Sequence, residues 1–132
     1  MKKKIISKLL PETRSLRRLR ELGYTADMAE IRKGPFLKID WGHFADMVAV
    51  RKGDRFHERL IPEVLFVQAT GHTNVSARVK KVLAAPDAYD VVWAGCRVEV
   101  WGWEKHKENP RIVDLSDLRL YEPLPHGHPD RP

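Results

Sequence analysis

The chain has 132 residues, 42% apolar and 32% charged, with a single cysteine and a net charge of +6. That length suits one domain, the apolar fraction excludes wholesale disorder, and one cysteine excludes an internal disulfide. No apolar run reaches the roughly 18 residues of a membrane span, and the two isoleucines after Lys4 fall short of the about 7–15 apolar residues of a secretion signal. The expectation is a cytoplasmic protein with no membrane partner.

Residues 1–10 read as a basic arm carrying Lys2, Lys3 and Lys4. Pro11 suits the first turn of a helix and Gly23 the position after its end, while Leu16, Leu19 and Leu22 recur between them at helical spacing. This helix, 11–22, is expected to turn Arg14, Arg17 and Arg18 outward as a basic stripe. Residues 1–33 hold ten Lys or Arg and four acids, which accounts for the whole positive excess. A surface so charged attracts polyanions, nucleic-acid phosphate first among them, with a merely solvated basic helix as the plainer alternative.

Residues 24–31 read as a weak strand closed by Lys33-Gly34-Pro35. The span 44–50 reads as a short buried strand ended by Lys52-Gly53-Asp54, and 64–70 as a longer one. Residues 71–74 supply a turn and a helix cap, after which Val75, Val79, Val82 and Leu83 trace one face of a helix to about Ala85. A short helix over 86–94 is stopped by Gly95. Residues 97–103 alternate as a strand with two half-buried faces, and 112–115 make a last edge strand. Four prolines mark 122–132 as an extended tail. The order helix, strand, strand, strand, helix, strand, strand predicts an α/β fold, a small mixed β-sheet flanked by helices, in a single domain over 11–121.

Within 44–50 the one acid is Asp46. A carboxylate inside an apolar strand must be paired, hydrogen-bonded or bound to a cation. The next strand also turns polar at its end, where Gln68 and Thr70 alternate onto one face and Val67 and Ala69 onto the other. If the two strands pair as a hairpin, Asp46 and the Gln68 amide oxygen gather at one point. That set of hard oxygens suits magnesium, and Glu30 can add a second carboxylate.

The helix ending in Leu-Gly-Tyr, the acid within WGHFADMVAV, the strand LFVQAT and the helix NVSARVKKVL together resemble the PD-(D/E)XK nuclease superfamily. Within it, the likeness is to Holliday-junction-resolvase-like and phage-encoded members, over about residues 11–105. The resemblance implies a restriction-endonuclease-like core, with an Asp on the second strand and a (D/E)XK triplet on the third holding one or two magnesium ions. A Glu from the first helix or first strand often joins them. Asp46 matches the aspartate and Gln68-Ala69-Thr70 the triplet. Glu30 or Glu12 matches the upstream glutamate, with Glu30 preferred because a helix first turn already explains Glu12. Gln68 stands where the family has an acid, and Thr70 where it has a lysine. A base from the following helix can substitute, from Arg78, Lys80 or Lys81, and Arg78 is the nearest to the strand end.

The implied activity is Mg2+- or Mn2+-dependent hydrolysis of DNA phosphodiester bonds in recombination, repair or phage genome processing, with branched DNA among the substrates. Arg14, Arg17, Arg18, Lys2, Lys3 and Lys4 would hold the backbone without reading sequence. Such nucleases often act as homodimers, because cutting both strands needs two sites. The alternative is a catalytically inactive nucleic-acid-binding module of the same fold, which a QXT triplet describes equally well. Asp40, a further ligand candidate, reads as an exposed turn residue. Trp101 and Trp103 read as packing under a helix, His72 as a turn residue, Cys96 as a small buried residue, and His126-Gly127-His128 as an inert part of the tail.

Overall fold

A proline at the first helical position starts α1 (Pro11–Glu21), and Gly23, at φ +92°, turns the chain out of it. The computed structural model describes residues 9–35, 37–52 and 63–117. Lys2, Lys3, Lys4, the turn at 53–54, and the proline-rich tail with His126 and His128 lie outside the described residues. After α1 come β1 (Thr25–Met28), β2 (Ile31–Lys33), β3 (Leu37–Ile39), β4 (Met47–Arg51) and β5 (Glu63–Gly71). A 3-10 turn (His72–Asn74) leads into α2 (Val75–Ala84) and α3 (Pro86–Trp93), followed by β6 (Arg97–Trp103) and β7 (Arg111–Asp114).

Five strands form one mixed sheet in the order β1-β4-β5-β6-β7, and β2 pairs with β3 outside it. β4 runs antiparallel to both neighbours, β5 and β6 are parallel, and β7 is antiparallel to β6. A parallel pair needs a connection of a dozen or more residues, which the α2–α3 excursion provides. The expected α/β class, a mixed sheet flanked by helices, is what the chain adopts.

Side-chain alternation along β5 sorts the core into two layers. Leu65, Val67 and Ala69 join Leu19, Met47, Trp101 and Trp103 in one apolar cluster with α1. Phe66 joins Val75, Val82, Ala88, Val91, Val98 and Val100 in the other, with α2 and α3. A helix layer therefore covers each face. Burial of this order, at about 25 cal/mol per Å2 of apolar surface, is what holds a chain of this size together.

Several local expectations need correction. The strand expected over 24–31 is broken: β1 stops at Met28, the Ala29 N–H bonds the Asp46 carbonyl at 2.9 Å, and the chain leaves for the β2–β3 hairpin. That hairpin turns at Gly34, φ +77°. The strand expected to begin at 44 begins at Met47, because Gly42 and His43, at φ +59° and +64°, curl the chain into a turn closed by a Trp41–Ala45 bridge. β6 is buried on both faces rather than half-buried, since helices cover both sides. Asn74 occupies the cap position of α2 without a side-chain hydrogen bond.

Candidate metal centre

The β2–β3 register pairs Ile31 with Ile39, so Glu30 and Asp40, one residue beyond each, lie side by side at the open end of the hairpin. Asp46 meets them from the start of β4. Its N–H donates to the Val67 carbonyl at 2.9 Å, extending the β4–β5 ladder by one residue and facing it toward Gln68. Asp46 Oδ2 accepts hydrogen bonds from Gln68 Nε2 at 2.6 Å and the Ala69 N–H at 2.7 Å. The hairpin pairing that would gather Asp46 and Gln68 is therefore present, and Asp46 immediately precedes the second strand of the large sheet while Gln68 and Thr70 lie on the third.

Glu30, Asp40 and Asp46 each offer an oxygen within 4.8 Å of the others. Asp46 is only 3% exposed. Burial pushes its carboxyl up to about 7, the negative charges of Asp40 and Glu12 add to the rise, and the Ala69 N–H opposes it. Two ammonium groups border the cluster. Lys38 Nζ lies 2.6 Å from Glu30 Oε2 and 3.6 Å from Glu12 Oε1, and Lys81 Nζ donates to Asp40 Oδ2. Gln68 is 2% exposed, and its Oε1 is buried without a hydrogen-bond donor. A buried amide oxygen lacking a donor is costly by about 1–3 kcal/mol, and its own amide nitrogen already touches Asp46. The three carboxylates are hard oxygen donors of the kind that suits magnesium or manganese.

Asp46, Gln68 and Glu30 are thus brought together. Asp40, expected in an exposed turn, is instead half-buried in the same cluster. Glu12 reaches its edge through Lys38. Thr70 is buried on the Gln68 face of β5, opposite Gly102 of β6. On α2, Lys81 rather than Arg78 ion-pairs with a carboxylate of the cluster, and Arg78 stands half-buried one turn earlier. The signal for Asp40 was present in Ile31-Arg32-Lys33-Gly34-Pro35, a short extended run ending in a turn, with a second short run following.

The expected arginine stripe divides. Arg17 is exposed, and Arg18 pairs with Glu21 at 3.7 Å and donates to Asn109 Oδ1. Arg14 is 9% exposed, stacks 4.4 Å over the Trp103 ring, and donates to the carbonyls of Glu104 and Lys107, so it serves packing rather than an outer stripe. Trp101 and Trp103 are buried, with their indole N–H groups donating to Glu99 Oε1 at 2.9 Å and Ser15 Oγ at 2.7 Å. Trp41 lies 4.7 Å from the Phe66 ring and covers that end of the core. Burial pushes the Cys96 thiol up, away from nucleophilic use.

No protein-family model, curated protein or solved structure matches the chain. Among the described residues, no helix is long and apolar enough to cross a membrane.

Proposed function

We propose that the chain is a metal-dependent DNA endonuclease of PD-(D/E)XK type, centred on Asp46. The observation that carries this reading is the convergence of Asp46 with Glu30 and Asp40 within 4.8 Å, beside a Gln68 amide oxygen that lacks a donor. The position of Asp46 before the second strand, with Gln68 on the third, agrees with the resemblance.

Asp46, Glu30 and Gln68 Oε1 would hold the cation, with Asp40 as an additional oxygen. A bound magnesium or manganese ion supplies a Lewis acid for the phosphate and lowers the pKa of a water. Lys81 and Lys38 give the rim positive charge toward an anionic backbone, and Arg17 with Lys2, Lys3 and Lys4 would hold that backbone independently of sequence. The setting of this activity is the cytoplasm, in recombination, repair or phage genome processing, with branched DNA among its substrates. Cutting both strands calls for two such centres, hence a homodimer.

One observation favours a second reading, a catalytically inactive nucleic-acid-binding module. Gln68 Nε2 satisfies Asp46 directly, and a carboxyl pushed up to about 7 is half-protonated near neutral pH, so the cluster persists without a cation.

The deciding experiment is cleavage of linear, single-stranded, flap and four-way-junction DNA with Mg2+ or Mn2+, comparing wild type with Asp46→Ala and with chelated metal. Metal-dependent cutting should fall at least about 100-fold in the variant, the upper end of what losing only a ligand's supporting partner costs. Cutting retained by Asp46→Ala would sink the proposal. DNA bound but left intact by wild type would establish the binding module.

A further inference from the structure

We infer that this carboxylate centre takes up its cation by exchange against two internal ammonium groups, Lys38 and Lys81, which set how tightly the ion is held. The inference rests on the metal-centre reading above and adds a regulation that the resemblance does not imply.

Four carboxylates gather here, Glu12, Glu30, Asp40 and Asp46, and two ammonium groups face them. With all six groups charged, as when an arriving cation drives off the Asp46 proton, two negative charges remain, which one divalent cation balances. The ammonium groups arrive from different elements. Lys38 comes from β3 onto Glu30, at 2.6 Å, and Glu12, at 3.6 Å, and Lys81 comes from α2 onto Asp40. Asp46 is met by no lysine: its Oδ2 accepts from Gln68 and the Ala69 N–H, and its carboxyl also contacts that of Asp40. Three of the four carboxylates are therefore met by lysine, and Asp46, the innermost, is not.

An ion among oxygens within 4.8 Å of one another lies within a few ångströms of both ammonium groups. Like charges at that range repel strongly in a partly buried site. Both lysine side chains are more than a third exposed, at 39% and 36%, and each has a flexible four-carbon stem, so both have a route into water. The lysines thus act as placeholders that balance the outer carboxylates until a divalent cation displaces them. Once displaced, they stand at the rim with free ammonium groups where a phosphate would arrive, supplying the charge that Thr70 lacks.

The test is calorimetric titration of Mn2+ into wild type, Lys38→Met, Lys81→Met and the double variant, without DNA. Each single variant should bind Mn2+ about tenfold or more tightly, by the removal of one repelling charge, and the double variant more tightly still. Lys81→Arg, which keeps the charge, should not gain affinity. Because a methionine variant leaves carboxylates uncompensated at a cost to folding, wild-type protein is also labelled with an amine-reactive reagent and read by mass spectrometry. Mn2+ should raise labelling of Lys38 and Lys81 several-fold while leaving exposed Lys80 unchanged. Equal or weaker Mn2+ affinity in folded methionine variants, or labelling rates indifferent to Mn2+, would overturn the exchange and leave the metal centre standing. No Mn2+ binding by any variant or wild type would overturn both.

Discussion

Asp46 carries its proton more tightly in the folded chain than in the unfolded one. Its carboxyl is pushed from the ordinary 3.8 up to about 7, so across that interval the native state holds more protons and stability falls as pH rises. Its contribution is fully present at the acidic end and is lost as pH passes through about 7. Metal-free Asp46→Asn protein should therefore show a flatter stability profile across this window and a melting temperature several degrees higher at pH 8, because the amide oxygen still accepts from Gln68 and Ala69. Thermal circular dichroism with chelator present measures this; an unchanged profile would mean that another group sets the slope. Asp46 was legible in the sequence as the one acid of an apolar run. Asp40 was less so: the turn at Gly34-Pro35 marked a hairpin, but its two three-residue strands are too short to show a period of two and so to place Asp40 beside Glu30.

At the scale of elements, the strand runs at 64–70 and 97–103 and the helices at 11–22 and 75–85 could be read nearly to the residue. Long apolar runs bounded by Gly and Pro leave few alternatives. The region 29–46 could not, because positive-φ residues such as His43 and lone backbone bonds shape it more than hydrophobic pattern does. Where α2 crosses β6, Gly102 lets the helix come close: a Cβ there would lie 2.2 Å from Val75 Cγ2. Gly102→Ala should destabilise the protein by about 1–3 kcal/mol, the usual toll of overpacking, in urea unfolding. Adding Val75→Ala should restore part of that loss, and simple additivity of the two changes would refute the contact. Since Gly102 pairs with Thr70, the same crowding reaches the strand that carries Gln68.

For the whole molecule, the charge excess of the first 33 residues overstates what α1 can offer a polyanion, because Arg14 is spent on Trp103 and Arg18 on Glu21 and Asn109. The arm lysines then matter more. Replacing Lys2, Lys3 and Lys4 by Gln should weaken duplex binding and reduce the slope of log affinity against log salt by about 2–3, at about 0.9 per phosphate contact. An unchanged slope would place the contacts elsewhere. The hairpin of β2 and β3 contributes no strand to the five-stranded sheet, yet it carries Glu30 and Asp40 at its two ends. Scaffold and chemistry are accordingly separable in heredity. A descendant that lost only this hairpin, and kept Trp41 and Phe44 against Phe66, would inherit all five strands of the sheet with a solitary buried acid, so the carboxylate cluster could come and go without an unfoldable ancestor.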